Sequence, residues 1–170
     1  DILKGNISTN EDKIFTEVLW IGIRGSSLGP ILLINSLKNF TKGLNFHFLD
    51  NVDPQGISDK LDIIGDKLKS TLIVVVSKSG GTIEPKICLE QVEHRFNNIG
   101  TAFNKHAVAI TMKNSNLDLK AISDKWLNSF DLPDWVGGRT SITSAVGLLP
   151  LALINADTSD GLVFCIFFNF

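Results

Sequence analysis

Cysteine is scarce in this chain: Cys88 and Cys165 are the only two, far apart among 170 residues, and they form no metal or redox spacing. Excess charge of one sign is also missing. Charged residues make up 20% of the chain and sum to a formal net charge of −2, which excludes a broad basic surface for nucleic acid. Any anion site must therefore be local. No apolar run reaches the ~20 residues needed to cross a bilayer. There is no internal repeat and no low-complexity linker. The three histidines, His47, His94 and His106, fit no metal or triad spacing and read as structural. Two thiols and no signal peptide point to a reducing cytoplasm. Because the chain starts at Asp1, a preceding transit segment would move that expectation to the plastid stroma. A hydrophobic content of 44% suits one globular domain, or part of a larger protein.

What is present concentrates in residues 71–85, TLIVVVSKSGGTIEP. Leu72 to Val76 is an unbroken, largely β-branched apolar run, the pattern of a strand buried on both faces. It stops at Ser77, Lys78, Ser79, Gly80, Gly81 and Thr82, and a helix-compatible stretch begins near Glu84 and Pro85. A strand, a turn of hydroxyls and glycines, then a helix is an arrangement that holds phosphate. Glycines let the backbone approach the anion, the first helical N–H groups point at it, and hydroxyls and Lys78 add donors and charge. An ordinary βα turn, in which Ser and Gly are common, is the plain alternative.

The remaining chain alternates in the same way. Strands are expected at 17–23, 44–49, 72–76 and 106–111. Helices are expected at 31–40 (with Pro30 in the first turn), 57–68, 84–98, 117–127 and 141–153, with a loop at 131–139. This predicts an α/β fold: a three-layer, doubly wound parallel sheet with helices on both faces. Ligands of such sheets sit beyond the carboxyl ends of the strands. The turns at 24–29 and 77–82 would meet there if their strands are neighbours.

Two further motifs bear on that crevice. GIRGSSLGP, residues 22–30, has loosely spaced glycines and does not fit the dinucleotide pattern, which calls for glycine where Arg24 and Ser27 stand. Only Asp50 could serve a ribose, so nucleotide binding is a thin alternative. In DWVGGRTS, residues 134–141, two glycines allow close backbone approach and Arg139 would be a fixed planar cation for an oxyanion. Glu84 is placed to cap the helix or orient Lys78. Residues 161–170, GLVFCIFFNF, form either a buried strand or a sticky end.

IGIRGSSLGP, VVSKSGGTIEP and DWVGGRTSITSAVGLLP, in this order, resemble the glucose-6-phosphate isomerase family, in spellings nearest its bacterial, cyanobacterial or plastid branch. The resemblance runs from about residue 17 to 153 and covers only the family's amino-terminal, sugar-isomerase-type (SIS) domain, a flavodoxin-like fold. It implies interconversion of glucose 6-phosphate and fructose 6-phosphate without metal or organic cofactor, in a homodimer. By resemblance, Ser77, Lys78, Ser79 and Thr82 match the phosphate-binding turn. Gly25 and Ser26 match the loop that closes over the sugar. Arg139 matches the arginine that stabilises the enediolate, and Gly138 lines the same pocket.

The resemblance also has departures. Arg24 stands where the family usually has glycine; if φ is positive there, it is strained by roughly 1 kcal/mol. Ile83 replaces a usual proline. The family's glutamate base, ring-opening histidine and carboxy-terminal lysine have no match in this sequence. The expected division is a polar segment at 1–16, a sugar-phosphate-binding domain at 17–155 and an atypical hydrophobic tail at 156–170, read as truncation or frameshift. The chain alone is accordingly expected to lack appreciable isomerase activity. A non-catalytic sugar-phosphate-binding module is the alternative.

Overall fold

The computed structural model describes residues 2, 7, 9, 14–37, 39, 41–138 and 140–156. Most of the segment 1–13, the expected site residue Arg139, and the tail from 157 onward (with Cys165) lie outside the described residues.

Among the described residues the strands and α-helices follow one another as β1 (Glu17–Ile21), α1 (Gly25–Leu37), β2 (Asn45–Leu49), α2 (Pro54–Ile64), β3 (Thr71–Val76), α3 (Ile83–Asn98), β4 (Ala107–Thr111), α4 (Asn116–Ser123), β5 (Asn128–Asp131) and α5 (Ala145–Leu153). The strands form one sheet in the order β2-β1-β3-β4-β5, every pair parallel. The doubly wound, flavodoxin-like expectation is met.

Strand periodicity explains the three layers. In β3, Leu72, Val74 and Val76 enter one core, with Val18 and Trp20 of β1 and Val108 and Ile110 of β4. Ile73 and Val75 enter the opposite core, with Leu19, Ile21, Ala107 and Ala109. Burying each large aliphatic side chain contributes roughly 1.5–3 kcal/mol, so the three central strands anchor the domain. Helices α2, α3 and α4 cover one face, and α1 packs with α5 on the other.

Several boundaries differ from expectation for local reasons. Helix α1 begins at Gly25, so Pro30 lies in its interior rather than its first turn. Proline lacks the N–H that would reach the Ser26 carbonyl; the Trp20 indole donates to that carbonyl instead, at 2.8 Å. Helix α2 starts at Pro54, three residues earlier than expected, because the Asp53 carboxylate caps it by accepting from Gly56 N–H at 2.9 Å. Helix α4 ends at Ser123, and the chain reverses through Lys125 at φ 57°. Residues 128–130, to which the sequence pattern assigns no element, and Asp131, expected to open the loop, then form the edge strand β5 (Asn128–Asp131). The helix expected from 141 begins at Ala145, where the Ser144 side chain caps it.

The amino end of the sheet is closed by a buried charge. The Glu17 side chain is 3% exposed; its carboxylate accepts from His47 Nε2 at 2.9 Å, Lys67 Nζ at 3.0 Å and Asn45 Nδ2 at 3.2 Å.

Candidate functional site

β1 and β3 are neighbours in register, Ile21 opposite Val75, so the turns that follow them emerge side by side at the carboxyl end of the sheet. Between them lies a cleft of about 390 Å³ lined by Ile23, Ser26, Val76, Ser77, Lys78, Ser79, Thr82, Pro85 and Met112. Five of the eight residues singled out in the sequence (Ser26, Ser77, Lys78, Ser79 and Thr82) thus share one cavity wall.

The turn after β3 is built to leave donors unused. Ser77 N–H donates to the Ile110 carbonyl at 3.1 Å, Gly80 N–H to the Ser77 carbonyl at 3.2 Å, and Gly81 N–H to Ser79 Oγ at 3.3 Å. Gly80 sits at φ 67°, and a Cβ there would lie 2.6 Å from the Leu117 backbone nitrogen, so only glycine fits between this turn and α4. The N–H groups of Lys78 and Ser79 meet no acceptor among the described residues. The Ser77 hydroxyl is buried and likewise has no partner among them. Thr82 precedes α3 in extended conformation without capping it through its side chain. The first N–H groups of α3 are therefore left for a ligand or water.

The turn after β1 is strained. Arg24 adopts φ 57°, the left-handed region that disfavours a side chain. Ser27 and Leu28 N–H donate to the Arg24 carbonyl at 3.0 and 2.9 Å as α1 begins. Gly25 touches the third motif: a Cβ at this position would collide with the Gly138 carbonyl. Ser141 Oγ closes the same junction at 2.7 Å from the Gly138 carbonyl and 3.3 Å from the Gly25 carbonyl. The Lys78 ammonium donates to the Asp134 carbonyl, which ties the phosphate-type turn to the third loop as well. Gly25 and Gly138 therefore flank the cleft rather than line it. Arg139, next to Gly138, is outside the described residues.

The wall thus presents hydroxyls, unused backbone N–H groups and one ammonium, donor types that suit an anion. Among the described residues the lining holds no carboxylate and no imidazole. His47 is engaged with Glu17 at the far end of the sheet. His94 is exposed on α3. His106 is buried, with Nδ1 donating to the Thr71 carbonyl at 2.8 Å. Glu84 stands in the first turn of α3, but Lys78 is held by Asp134 rather than by Glu84. No group of three or more metal-ligating side chains comes together among the described residues. The Cys88 thiol is buried and pushed up to about 11 by burial, which removes it from nucleophilic chemistry.

Sequence reading missed Ile23, Pro85 and Met112 in the lining, and the Thr111 hydroxyl beneath the turn. The rule that ligands sit at strand carboxyl ends points to Thr111 and Met112 as soon as β4 is placed beside β3.

Comparison with known proteins agrees with this geometry. The profile of the family described as phosphoglucose isomerase matches residues 1–157. Over 162 residues the chain is 59% identical to glucose-6-phosphate isomerase of Prochlorococcus marinus strain MIT 9211, covering 95% of this chain and 30% of the relative. It is 56% identical over 160 residues to the enzyme of the same name from Parasynechococcus marenigrum, covering 29% of it. A crystal structure of a glucose-6-phosphate isomerase from Chlamydia trachomatis superposes with a TM-score of 0.76 at 36% identity, over 82% of this chain and 26% of that one. A hypothetical protein from Thermus thermophilus gives a TM-score of 0.74 at 36% identity, over 84% of this chain and 34% of that one. The chain thus spans about 30% of the length of the curated relatives it matches. Two motifs that line one cleft and a third that abuts them, a shared fold and a match along nearly the whole sequence agree: this chain belongs to the phosphoglucose isomerase family.

Proposed function

We propose that residues 17–155 are the sugar-phosphate-binding domain of a glucose-6-phosphate isomerase, an enzyme that interconverts glucose 6-phosphate and fructose 6-phosphate without a cofactor. The phosphate sits in the turn after β3. Ser77, Ser79 and Thr82 supply hydroxyls, Lys78 supplies charge, and the first N–H groups of α3 complete the cradle. Gly25 and Ser26 close over the sugar, with Gly138 beside them. Isomerisation moves a proton between adjacent carbons through an enediolate, and Arg139 stabilises the developing oxyanion. Phosphate binding, remote from the reacting carbons, positions the sugar. The working assembly in this reading is a cytoplasmic homodimer.

The observation that carries the proposal is the buried Ser77 hydroxyl without a partner among the described residues, in a lining where Lys78 is the one charged side chain among those residues. A phosphate oxygen would satisfy it. The absence of a carboxylate or imidazole from the described lining favours a second reading, a sugar-phosphate-binding module without chemistry. Calorimetric titration of the chain decides between them. Saturable binding of fructose 6-phosphate but not fructose is expected, with tighter binding of a hydroxamate mimic of the enediolate. Equal affinity for mimic and substrate would favour the module, and no binding by the folded chain would defeat both readings.

A further inference from the structure

We infer that Thr111, at the end of β4, is a positioning residue for the phosphate turn, and that Ser115 and Asp118 set the direction of its hydroxyl. The inference rests on the proposed phosphate site. Thr111 is 1% exposed. Its Oγ1 lies 2.7 Å from the Ser77 carbonyl, 3.3 Å from the Lys78 carbonyl and 2.7 Å from Ser115 Oγ.

Proton counting fixes the polarity of this cluster. Carbonyls only accept, so the single Thr111 O–H donates to Ser77, with Lys78 as a longer second acceptor. Ser115 must therefore donate to Thr111. Ser115 Oγ in turn accepts the Asp118 backbone N–H at 3.1 Å, the capping bond of α4. The Asp118 carboxylate accepts Asn114 N–H at 2.8 Å and the Ser129 hydroxyl at 2.7 Å, which pins the left-handed Asn114 and so the loop between β4 and α4. Each hydroxyl in the chain donates once, and every bond runs toward the turn or secures the loop that aims it.

The consequence lies in the peptide planes. The Ser77 carbonyl and the Lys78 N–H belong to one trans peptide and point in opposite directions. Holding that carbonyl toward Thr111 turns the Lys78 N–H away from β4. The Lys78 carbonyl, held by Met112 N–H at 3.0 Å and by Thr111, does the same for the Ser79 N–H. These are the two N–H groups without an acceptor among the described residues. Thr111 thus pre-aims the backbone donors of the anion cradle without touching the ligand.

The test compares Thr111→Val, which keeps the shape and removes the hydroxyl, with Thr111→Ser, which keeps the hydroxyl. Fructose 6-phosphate and inorganic phosphate are titrated calorimetrically into each folded chain. Thr111→Val is expected to weaken both ligands by about tenfold, and Thr111→Ser to restore affinity to within about twofold. Ser115→Ala, which leaves Thr111 in place and removes the donor that orients it together with the α4 cap, gives a loss in the same direction, about threefold, and serves if the valine variant does not fold. Full affinity in Thr111→Val with a lowered melting temperature, or in Ser115→Ala, would reduce the cluster to a structural role and overturn the inference. If the unaltered chain binds neither ligand, the phosphate reading fails and takes this inference with it.

Discussion

The two ends of the sheet solve opposite problems. At the amino end, Glu17 is a buried carboxylate with three donors, and the hydroxyls around it are engaged as well: Thr71 donates to the Lys67 carbonyl at 2.8 Å and Thr16 meets Ser70 at 3.1 Å. At the carboxyl end, the Ser77 hydroxyl and two backbone N–H groups lack partners among the described residues, and Arg24 holds a left-handed backbone. Both ends belong to the same strands, so β propensity cannot explain the contrast. One end is satisfied by the protein itself; the other is left incomplete, as a ligand site requires. Substitutions at the amino end should therefore cost stability, and those at the carboxyl end should cost binding.

Gly25→Ala tests where that division breaks down. The added methyl meets the Gly138 backbone, which cannot swing aside as a side chain could, so the two loops must part. A loss of about 1–3 kcal/mol in denaturant unfolding is expected, together with sugar-phosphate binding weakened more than tenfold. Unchanged stability would show that the loops do not abut.

Glu17→Gln is expected to cost about 1–2 kcal/mol and leave binding intact. The cost stays below that of a fully buried pair because Lys67 can swing into water. Burial pushes the Glu17 carboxyl up, but the hydrogen bonds from His47, Lys67 and Asn45, with the Lys67 charge, outweigh it and hold the group below the usual glutamate range. A depressed carboxyl stabilises the fold above its unfolded value of about 4.3, and that contribution disappears as pH falls through the lower folded value. The stability gap between the unaltered chain and the variant should therefore narrow from pH 7 to pH 3. A constant gap in unfolding midpoints would contradict this.

Ser77→Ala is the mirror image. Removing an unsatisfied buried hydroxyl should leave the melting temperature equal or higher, while affinity for fructose 6-phosphate falls about tenfold. A lower melting temperature would mean that the hydroxyl is bonded within the protein. Arg24→Gly gives the smallest effect: a gain of up to about 1 kcal/mol from relieved backbone strain, partly offset by the freedom glycine gains on unfolding. Binding should be retained or improved, and a large loss of affinity would instead assign Arg24 a direct contact with the ligand.

The central layers could be read directly from residues. Leu72 to Val76 is buried on both faces and reads as an interior strand, and the turn that follows it supplies four of the nine residues lining the cleft. What escaped the sequence has physical causes. Strand β5, NSFD, is short, polar and at the edge, so it carries no apolar signature. Pro30 suggested a helix start, but the missing N–H is compensated by Trp20, a partner that appears only once β1 and α1 are packed. Thr111 follows no glycine-rich spelling; its role arises from the register of β4 beside β3, which spacing along the chain does not encode.

The tryptophans convert this architecture into an optical readout. With no tyrosine in the chain, its near-ultraviolet emission belongs to Trp20, Trp126 and Trp135. Trp20 and Trp126 are enclosed, whereas Trp135 is 83% exposed and adjoins Asp134, whose carbonyl takes the Lys78 ammonium. A ligand that draws Lys78 away alters the surroundings of that one solvent-facing indole. The emission maximum and its quenching by iodide then report events at the rim without any attached dye.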